Sequence, residues 1–219
     1  MIHLQNLSHK FPLGKTSFTA LENINLEIKK GSFNAIIGPS GSGKSTLLNL
    51  IAGLTKAQKG KIKVNEKDLS KLNDDGLSTY RNQKIGFIFQ EFHLQPYLNV
   101  KENILLPCYF SSYAKVKEKE ADRLIKEVGL EKKAKWRVND LSGGQRQRTA
   151  IARALINAPE IIIADEATGN LDHETGKEIL NLLKRLQVEH KTTLIIATHD
   201  EKIAKAAKNI FKIKDGKLI

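Results

Sequence analysis

Nine consecutive residues, Gly38-Pro39-Ser40-Gly41-Ser42-Gly43-Lys44-Ser45-Thr46, satisfy the pattern G-x-x-x-x-G-K-[ST] and are suited to holding a phosphate group. Glycine lets the backbone close round an anion. Exposed amide hydrogens, a helix dipole and the Lys44 ammonium then oppose the same negative charge, while the Ser45 hydroxyl is placed to ligate Mg²⁺. A glycine-rich turn without chemistry is the alternative. The β-prone run Phe33, Ala35, Ile36 and Ile37 before the loop, and Leu47, Leu48, Leu50, Ile51 and Leu54 at helical spacing after it, supply the strand-loop-helix setting of a P-loop.

A second anion-ready stretch is Leu141-Ser142-Gly143-Gly144-Gln145. Ser142 is a good N-cap, and two glycines opening a helix leave amide hydrogens accessible at the positive dipole end, with no lysine present. Taken alone, the stretch reads equally as a serine-capped helix after a glycine turn. Ala150, Ile151, Ala154 and Leu155 form one face of the helix, which closes before Pro159. Directly afterwards the apolar strand Ile161-Ile162-Ile163-Ala164 delivers Asp165 and Glu166 at its C-terminal end, the edge of a parallel sheet where ligands bind. There Asp165 would hold Mg²⁺ through its water shell. Glu166 would orient and deprotonate the water that attacks a γ-phosphate.

Two further polar residues stand at strand ends. Gln90 follows the run Ile85-Gly86-Phe87-Ile88-Phe89, where it could touch metal and water or be a solvated strand end. His199 follows Leu194-Ile195-Ile196-Ala197-Thr198 and is the one histidine of six on that functional edge; the other five read as surface or packing residues. Phe11, in the loop expected after the first strand, could stack on a purine or belong to the core.

Elements must position these groups. Ile2, Leu4, Ile24, Leu26 and Ile28 alternate with polar residues as half-buried antiparallel strands do, and Ile62 with Val64 after Gly60 continues the pattern. Lys30-Gly31 turns the chain into the P-loop strand. The stretch 67–83 is polar and suggests a short surface helix containing Leu77 and Tyr80. From 91 to 139 the chain becomes mostly helical, with Val116, Leu124, Ile125 and Val128 on one face and a Lys/Glu run over 115–120 as a solvated face with helix ion pairs. Gly169-Asn170-Leu171-Asp172 leads into a helix capped by Asp172, with Ile179, Leu182, Leu183 and Leu186 inward. Asp215-Gly216 turns a closing hairpin.

Composition limits the rest. A chain of 219 residues suffices for one α/β domain with a smaller subdomain. Its net charge of +12 suits an ordinary lysine-rich protein first, and permits nucleic acid or an anionic membrane surface as partner. Cys108 is the only cysteine, which excludes an intramolecular disulfide and a multi-thiolate zinc site and points to a reducing compartment. No apolar run approaches membrane-spanning length and no signal-peptide core opens the chain, so a membrane role is expected to come through a partner.

In this order and spacing, the P-loop, Gln90, Leu-Ser-Gly-Gly-Gln, the strand ending Asp-Glu, Gly-Asn-Leu-Asp and His199 closely resemble the nucleotide-binding subunit of ABC transporters. The resemblance covers the whole chain, and Leu-Ser-Gly-Gly-Gln separates this family from other P-loop ATPases. The insert containing Asp74-Asp75, Leu105-Leu106-Pro107 and Gly-Asn-Leu-Asp look like the lipoprotein-releasing, macrolide and antimicrobial-peptide export, and cell-division group. Ala167, where proline is usual, and Arg137, where histidine is common, are departures that remove no catalytic group.

The resemblance implies an α/β fold: a P-loop NTPase core of mostly parallel sheet with flanking helices over 1–90 and 158–219, with an antiparallel β subdomain, and a helical subdomain over 91–157. It implies an ATPase working as a head-to-tail dimer, most simply a homodimer, on the cytoplasmic face of the cell membrane. Phe11 would stack on adenine, and residues 38–46 would hold the phosphates. Ser45, Gln90 and Asp165 would serve Mg²⁺. Glu166 would be the base, with His199, Lys44 and Gln90 assisting. Ser142, Gly143, Gly144 and Gln145 would reach the partner's ATP, and Asp172 would link the two sites. Membrane subunits would dock near 90–100, giving exposed Phe92, Leu94 and Tyr97 a reason. A cell-division ATPase that transmits force without transport is the alternative, and a nucleic-acid-associated ABC ATPase is less favoured because the chain has one P-loop and no coiled-coil insertion.

Overall fold

Alternating apolar residues at the N-terminus and an uninterrupted apolar run at 33–37 ask for two kinds of strand, half-buried and fully buried, and both are found. The structure, a computed structural model, describes residues 1–14, 16–110 and 117–219. In chain order the first elements are β1 (Ile2–Leu13), β2 (Thr16–Ile28), β3 (Phe33–Ile37), α1 (Lys44–Ile51), β4 (Lys59–Val64), β5 (Lys67–Asp68), α2 (Asp74–Lys84) and β6 (Ile85–Ile88). They continue as α3 (Val100–Leu105), α4 (Glu118–Glu127), α5 (Gly143–Leu155), β7 (Ile161–Asp165), α6 (His173–Glu189), β8 (Thr193–Thr198), α7 (Glu201–Ala204), β9 (Asn209–Lys214) and β10 (Lys217–Leu218). Two compact units result: Met1–Arg81 with Thr193–Ile219, and Asn82–Thr192.

In the first unit an antiparallel sheet has the order β2-β1-β4-β5. Leu4 lies opposite Leu26 on one side and Ile62 on the other, and all three are buried, so the period of two sends one face inward. The β1–β2 ladder runs on to Leu13 opposite Thr16. Phe11 therefore lies within a strand, opposite Phe18, and not in a loop as the sequence suggested. The physical reason is local. Pairing of β1 with β4 stops at Ser8, so Pro12 falls where β1 has one neighbour and its missing N–H breaks no ladder on the other side.

β3 is buried along its whole length and pairs in parallel with β8 and β9, Ala35 lying opposite Ile196 and Ile210. β10 folds back on β9 through Asp215 (φ 48°) and Gly216 (φ 76°), the left-handed pair that a two-residue hairpin turn requires. α1 buries Leu47, Leu48, Leu50 and Ile51, while Leu54 lies beyond its end and is half exposed. α2 is more than a surface helix: Leu77 and Tyr80 are buried, and the Tyr80 hydroxyl donates to the Ile51 carbonyl at 2.9 Å.

In the second unit β6 and β7 pair in parallel, with Gly86 opposite Ile162. A Cβ at Gly86 would lie 2.5 Å from the Ala154 carbonyl oxygen, so a side chain there would push α5 off the strand. α5 buries Ala150, Ile151, Ala154 and Leu155, and α6 buries Ile179, Leu182, Leu183 and Leu186, as their helical spacing predicts. α4 buries Leu124 and Ile125, and its ion pairs centre on Arg123, between Glu120 and Glu127, so that of the charge run's described residues only Glu120 takes part, while Lys117 donates to the Ile156 carbonyl at 3.2 Å. Val116 and the start of the charge run lie outside the described residues.

Candidate active site

The loop of the first unit begins where β3 ends. Gly41 (φ 77°) and Gly43 (φ 105°) take left-handed conformations, and a Cβ on Gly43 would lie 2.5 Å from the Ala20 carbonyl oxygen. Gly38 is equally confined, since a Cβ there would come within 2.1 Å of the Ile213 carbonyl oxygen. Lys44 is buried, and its ammonium donates to the carbonyls of Gly38 (2.8 Å) and Pro39 (3.0 Å), spanning the loop from inside. The first turn of α1 holds no acidic residue, so its positive dipole end is not offset by a carboxylate. Ser42 Oγ is buried with no hydrogen-bond partner among the described residues, whereas Pro39, Ser40, Gly41 and Ser45 are exposed and Thr46 is half-buried. Such a loop offers amide hydrogens, hydroxyls and one cation to an anion.

His199 leaves the same edge. Ile37 pairs with Thr198 across β3 and β8, so Gly38 and His199 each follow a residue of one rung. The parallel register, not sequence proximity, brings them together.

The second unit repeats this logic. Ile88 pairs with Ala164, so Gln90 and Glu166 each stand two residues past one rung of β6 and β7. Asp165 ends β7, half-buried, and Glu166 follows with φ 45°, a left-handed conformation uncommon for glutamate. Gly169 N–H donates to the Glu166 carbonyl at 2.9 Å, closing the turn after the carboxylate. Gln90 and Asn170 exchange hydrogen bonds: Nε2 of Gln90 to Oδ1 of Asn170 at 3.3 Å, and Nδ2 of Asn170 to the Gln90 carbonyl at 3.1 Å.

The glycine-opened helix α5 has a complete capping box. Ser142 Oγ accepts from Gln145 N–H at 3.4 Å, and Gln145 Oε1 accepts from Ser142 N–H at 3.1 Å. Gly143 and Gly144 have a further reason to lack side chains. A Cβ on Gly144 would lie 2.6 Å from Thr175 Cγ2, and one on Gly143 would lie 3.2 Å from Leu171 Cδ2. The first turn of α6 thus rests on the first turn of α5. Asp172 caps α6 by accepting from Thr175 N–H at 3.0 Å, and the Thr175 side chain, with the backbone bond second, holds its carboxyl below the usual range.

The segment after Gln90 is built from the same unit. Phe92 (φ 59°) and His93 (φ 46°) are left-handed, and their carbonyls accept from Arg153 of α5 at 2.7 and 2.5 Å. The Arg146 guanidinium lies 5.7 Å from the Phe92 ring centroid. Asn103 of α3 ties the other end, accepting from Gln95 N–H at 2.7 Å and donating to the carbonyls of Gln95, Leu98 and Asn99. Tyr97 is presented at 86% exposure. Phe92 and Leu94 are half-buried, contrary to the exposure read from sequence; at Phe92 the reason is α5, whose Arg146 guanidinium lies over the ring while Arg153 binds the carbonyl.

Residues 21–169 match the family model described as ABC transporter. The chain belongs to that family. An ABC transporter ATP-binding protein of Methanocaldococcus jannaschii, MJ0796, is 44% identical over all of this chain and 95% of its own length. The lipoprotein-releasing system ATP-binding protein LolD of Saccharophagus degradans is 40% identical over all of this chain and 96% of its own. The macrolide export ATP-binding/permease protein MacB of Mannheimia succiniciproducens is 44% identical, and there this chain spans 34% of the relative. A dimeric post-hydrolysis structure of MJ0796 bound to ADP and Pi superposes with a TM-score of 0.91 at 43% identity, covering all of this chain and 96% of that one.

For this ABC transporter ATPase, sequence reasoning named candidate active residues and passed over the side chains that bind to their segments. Asn170 stood in a named motif without a partner assigned. Arg153 and Asn103 carry no sequence signal of their own; their role comes from backbone acceptors, which for Arg153 lie 60 and 61 residues earlier in the chain.

Proposed function

We propose that the chain is the ATP-driven motor subunit of a membrane export or extrusion system, acting as a head-to-tail pair in which each ATP meets the P-loop of one copy and the α5 N-terminus of the other. The observation that carries this is the presence of two helix N-termini opened by glycine, α1 with a lysine and α5 without one. A second glycine-opened helix start without a lysine of its own suits a nucleotide already held by another chain. The relatives LolD and MacB, named for lipoprotein release and macrolide export, support the transport class.

In this reading Phe11 stacks on adenine and residues 38–46 hold the phosphates, with Lys44 moving from loop carbonyls to phosphate oxygens. Glu166 orients and deprotonates the attacking water, and Gln90 and His199 position the water and the γ-phosphate. Ser142, Gly143, Gly144 and Gln145 serve the opposite ATP, and Asp172 links the sites. Ser45, Gln90 and Asp165 offer a hydroxyl, an amide oxygen and a carboxylate, an all-oxygen set that fits Mg²⁺. Bound there, the ion would neutralise charge developing on the phosphates. The helical subdomain over 91–157 would meet membrane subunits near 90–100 on the cytoplasmic face, through Tyr97.

The test separates the two anion sites. Lys44→Ala weakens nucleotide binding by the monomer, whereas Ser142→Arg leaves monomer binding unchanged and abolishes dimerisation and turnover. Equal loss of monomer affinity in both variants contradicts the composite site.

A further inference from the structure

Phe11 is supported from below. The imidazole of His9 meets its ring edge to face, with centroids 4.8 Å apart and an interplanar angle of 71°. His9 is 4% exposed and Phe11 is 42% exposed, so a buried ring props an open one. Residues two apart on a strand share a face. The β1–β2 register also slips on both sides of His9, between Leu7 and His9 and between His9 and Lys10, and such irregularities re-aim side chains.

The same rung backs the phosphate loop. His9 lies opposite Leu21, and a Cβ built on Gly43 would come within 2.8 Å of Leu21 Cδ2. Gly216, whose carbonyl accepts from Glu22 N–H at 2.8 Å, donates to the Ser42 carbonyl at 3.1 Å. Ala20 and Leu21 of β2 therefore back the loop at Gly43, and Leu21 is also the partner of His9.

We propose that His9 is a positioning residue for the nucleotide: it fixes the plane of the Phe11 ring and its offset from the loop that holds the phosphates. The proposal rests on Phe11 being the purine-stacking aromatic. An edge-to-face pair has a preferred geometry, so a held imidazole edge limits the orientations Phe11 can adopt. His9 Nδ1 has no hydrogen-bond partner among the described residues, so through that atom the side chain is not a polar bridge. What it offers Phe11 is a ring. Burial also lowers its pKa and favours the neutral form.

Steady-state ATPase kinetics of the intact chain test this, with inorganic tripolyphosphate as a competitor that occupies the loop and makes no adenine contact. His9→Ala raises KM for ATP about three- to ten-fold, the worth of one aromatic pair, and leaves kcat within about two-fold. Inhibition by tripolyphosphate is unchanged. His9→Phe, which restores a ring edge, returns KM to within about two-fold of the parent. Phe11→Ala raises KM at least as much as His9→Ala. A parent-like KM in His9→Ala beside a raised KM in Phe11→Ala overturns the role of His9 alone, and so does a rise in KM matched by weaker tripolyphosphate inhibition. An unchanged KM in Phe11→Ala overturns the stacking reading itself. Should His9→Ala fail to fold, His9→Gln keeps bulk, removes the ring and gives the same comparison.

Discussion

Asn170 and Gln90 hold each other by a reciprocal pair of hydrogen bonds, 3.1 Å from Asn170 Nδ2 to the Gln90 carbonyl and 3.3 Å from Gln90 Nε2 to Asn170 Oδ1. Because Nε2 is the donor end of the amide, this pairing fixes which end of Gln90 is the acceptor. Asn170→Ala should lower kcat about ten-fold while KM for ATP stays near the parent value, since positioning is lost and nucleotide contacts are not. Stopped-time phosphate release across an ATP series measures both. An unchanged kcat would mean that Gln90 is oriented without Asn170.

Arg153 donates to two carbonyls of left-handed residues, Phe92 and His93, and burial lowers its pKa from the usual value. Arg153→Met keeps the stem and removes both charge-assisted bonds, so urea denaturation should show a loss of about 1.5 to 3 kcal/mol. A loss below about 0.5 kcal/mol, the scatter of surface substitutions, would show those carbonyls finding other donors.

Tyr97 stands at 86% exposure on a segment that Arg153 and Asn103 tie down at both ends. A rigidly presented aromatic loses little freedom on docking, and a well-packed one contributes on the order of 2 kcal/mol. Tyr97→Ala should leave the basal ATPase of the isolated chain unchanged and remove most of the stimulation by a reconstituted membrane partner in lipid. Full stimulation would place docking elsewhere. Phe92 is a poorer probe, because its ring already packs beneath Arg146 and its loss would disturb the segment itself.

His9 makes stability depend on pH with a definite sign. Burial is the sole cause of its lowered pKa, so the folded state binds fewer protons there than the unfolded state, whose imidazole keeps the ordinary value of 6.5. The contribution is complete above 6.5 and is lost as pH falls through the lower folded value. Thermal unfolding followed from neutral to acidic pH should therefore fall less steeply for His9→Phe than for the parent. Parallel curves would mean that His9 titrates alike in both states.

Much of the fold was legible in spacing. The alternation of Ile2 and Leu4, the unbroken run of β3, the Asp215-Gly216 turn and the Ser142 and Asp172 caps are local signals, and the chain obeys them. What escaped is non-local. Phe11 looked like a loop residue because its ladder partner Phe18 is known only once β2 is in register, and Phe92 looked exposed because Arg146 reaches it from a helix fifty-odd positions on. The candidate site residues are polar types at the ends of apolar strands, a contrast visible in the sequence. Their supports, Asn170, Arg153 and Asn103, act through backbone carbonyls and amides, which leave no mark on composition or periodicity.

The central claim is that Ser142 and its glycines complete the site of another copy. Glu166→Gln, lacking the base, should hold ATP and turn over about 10²- to 10⁴-fold more slowly, so that the ATP-bound pair accumulates. Light scattering after size exclusion in Mg-ATP should then show a dimer for Glu166→Gln and a monomer for the same protein carrying Ser142→Arg as well. A dimer in both, or a monomer in both, would contradict the account.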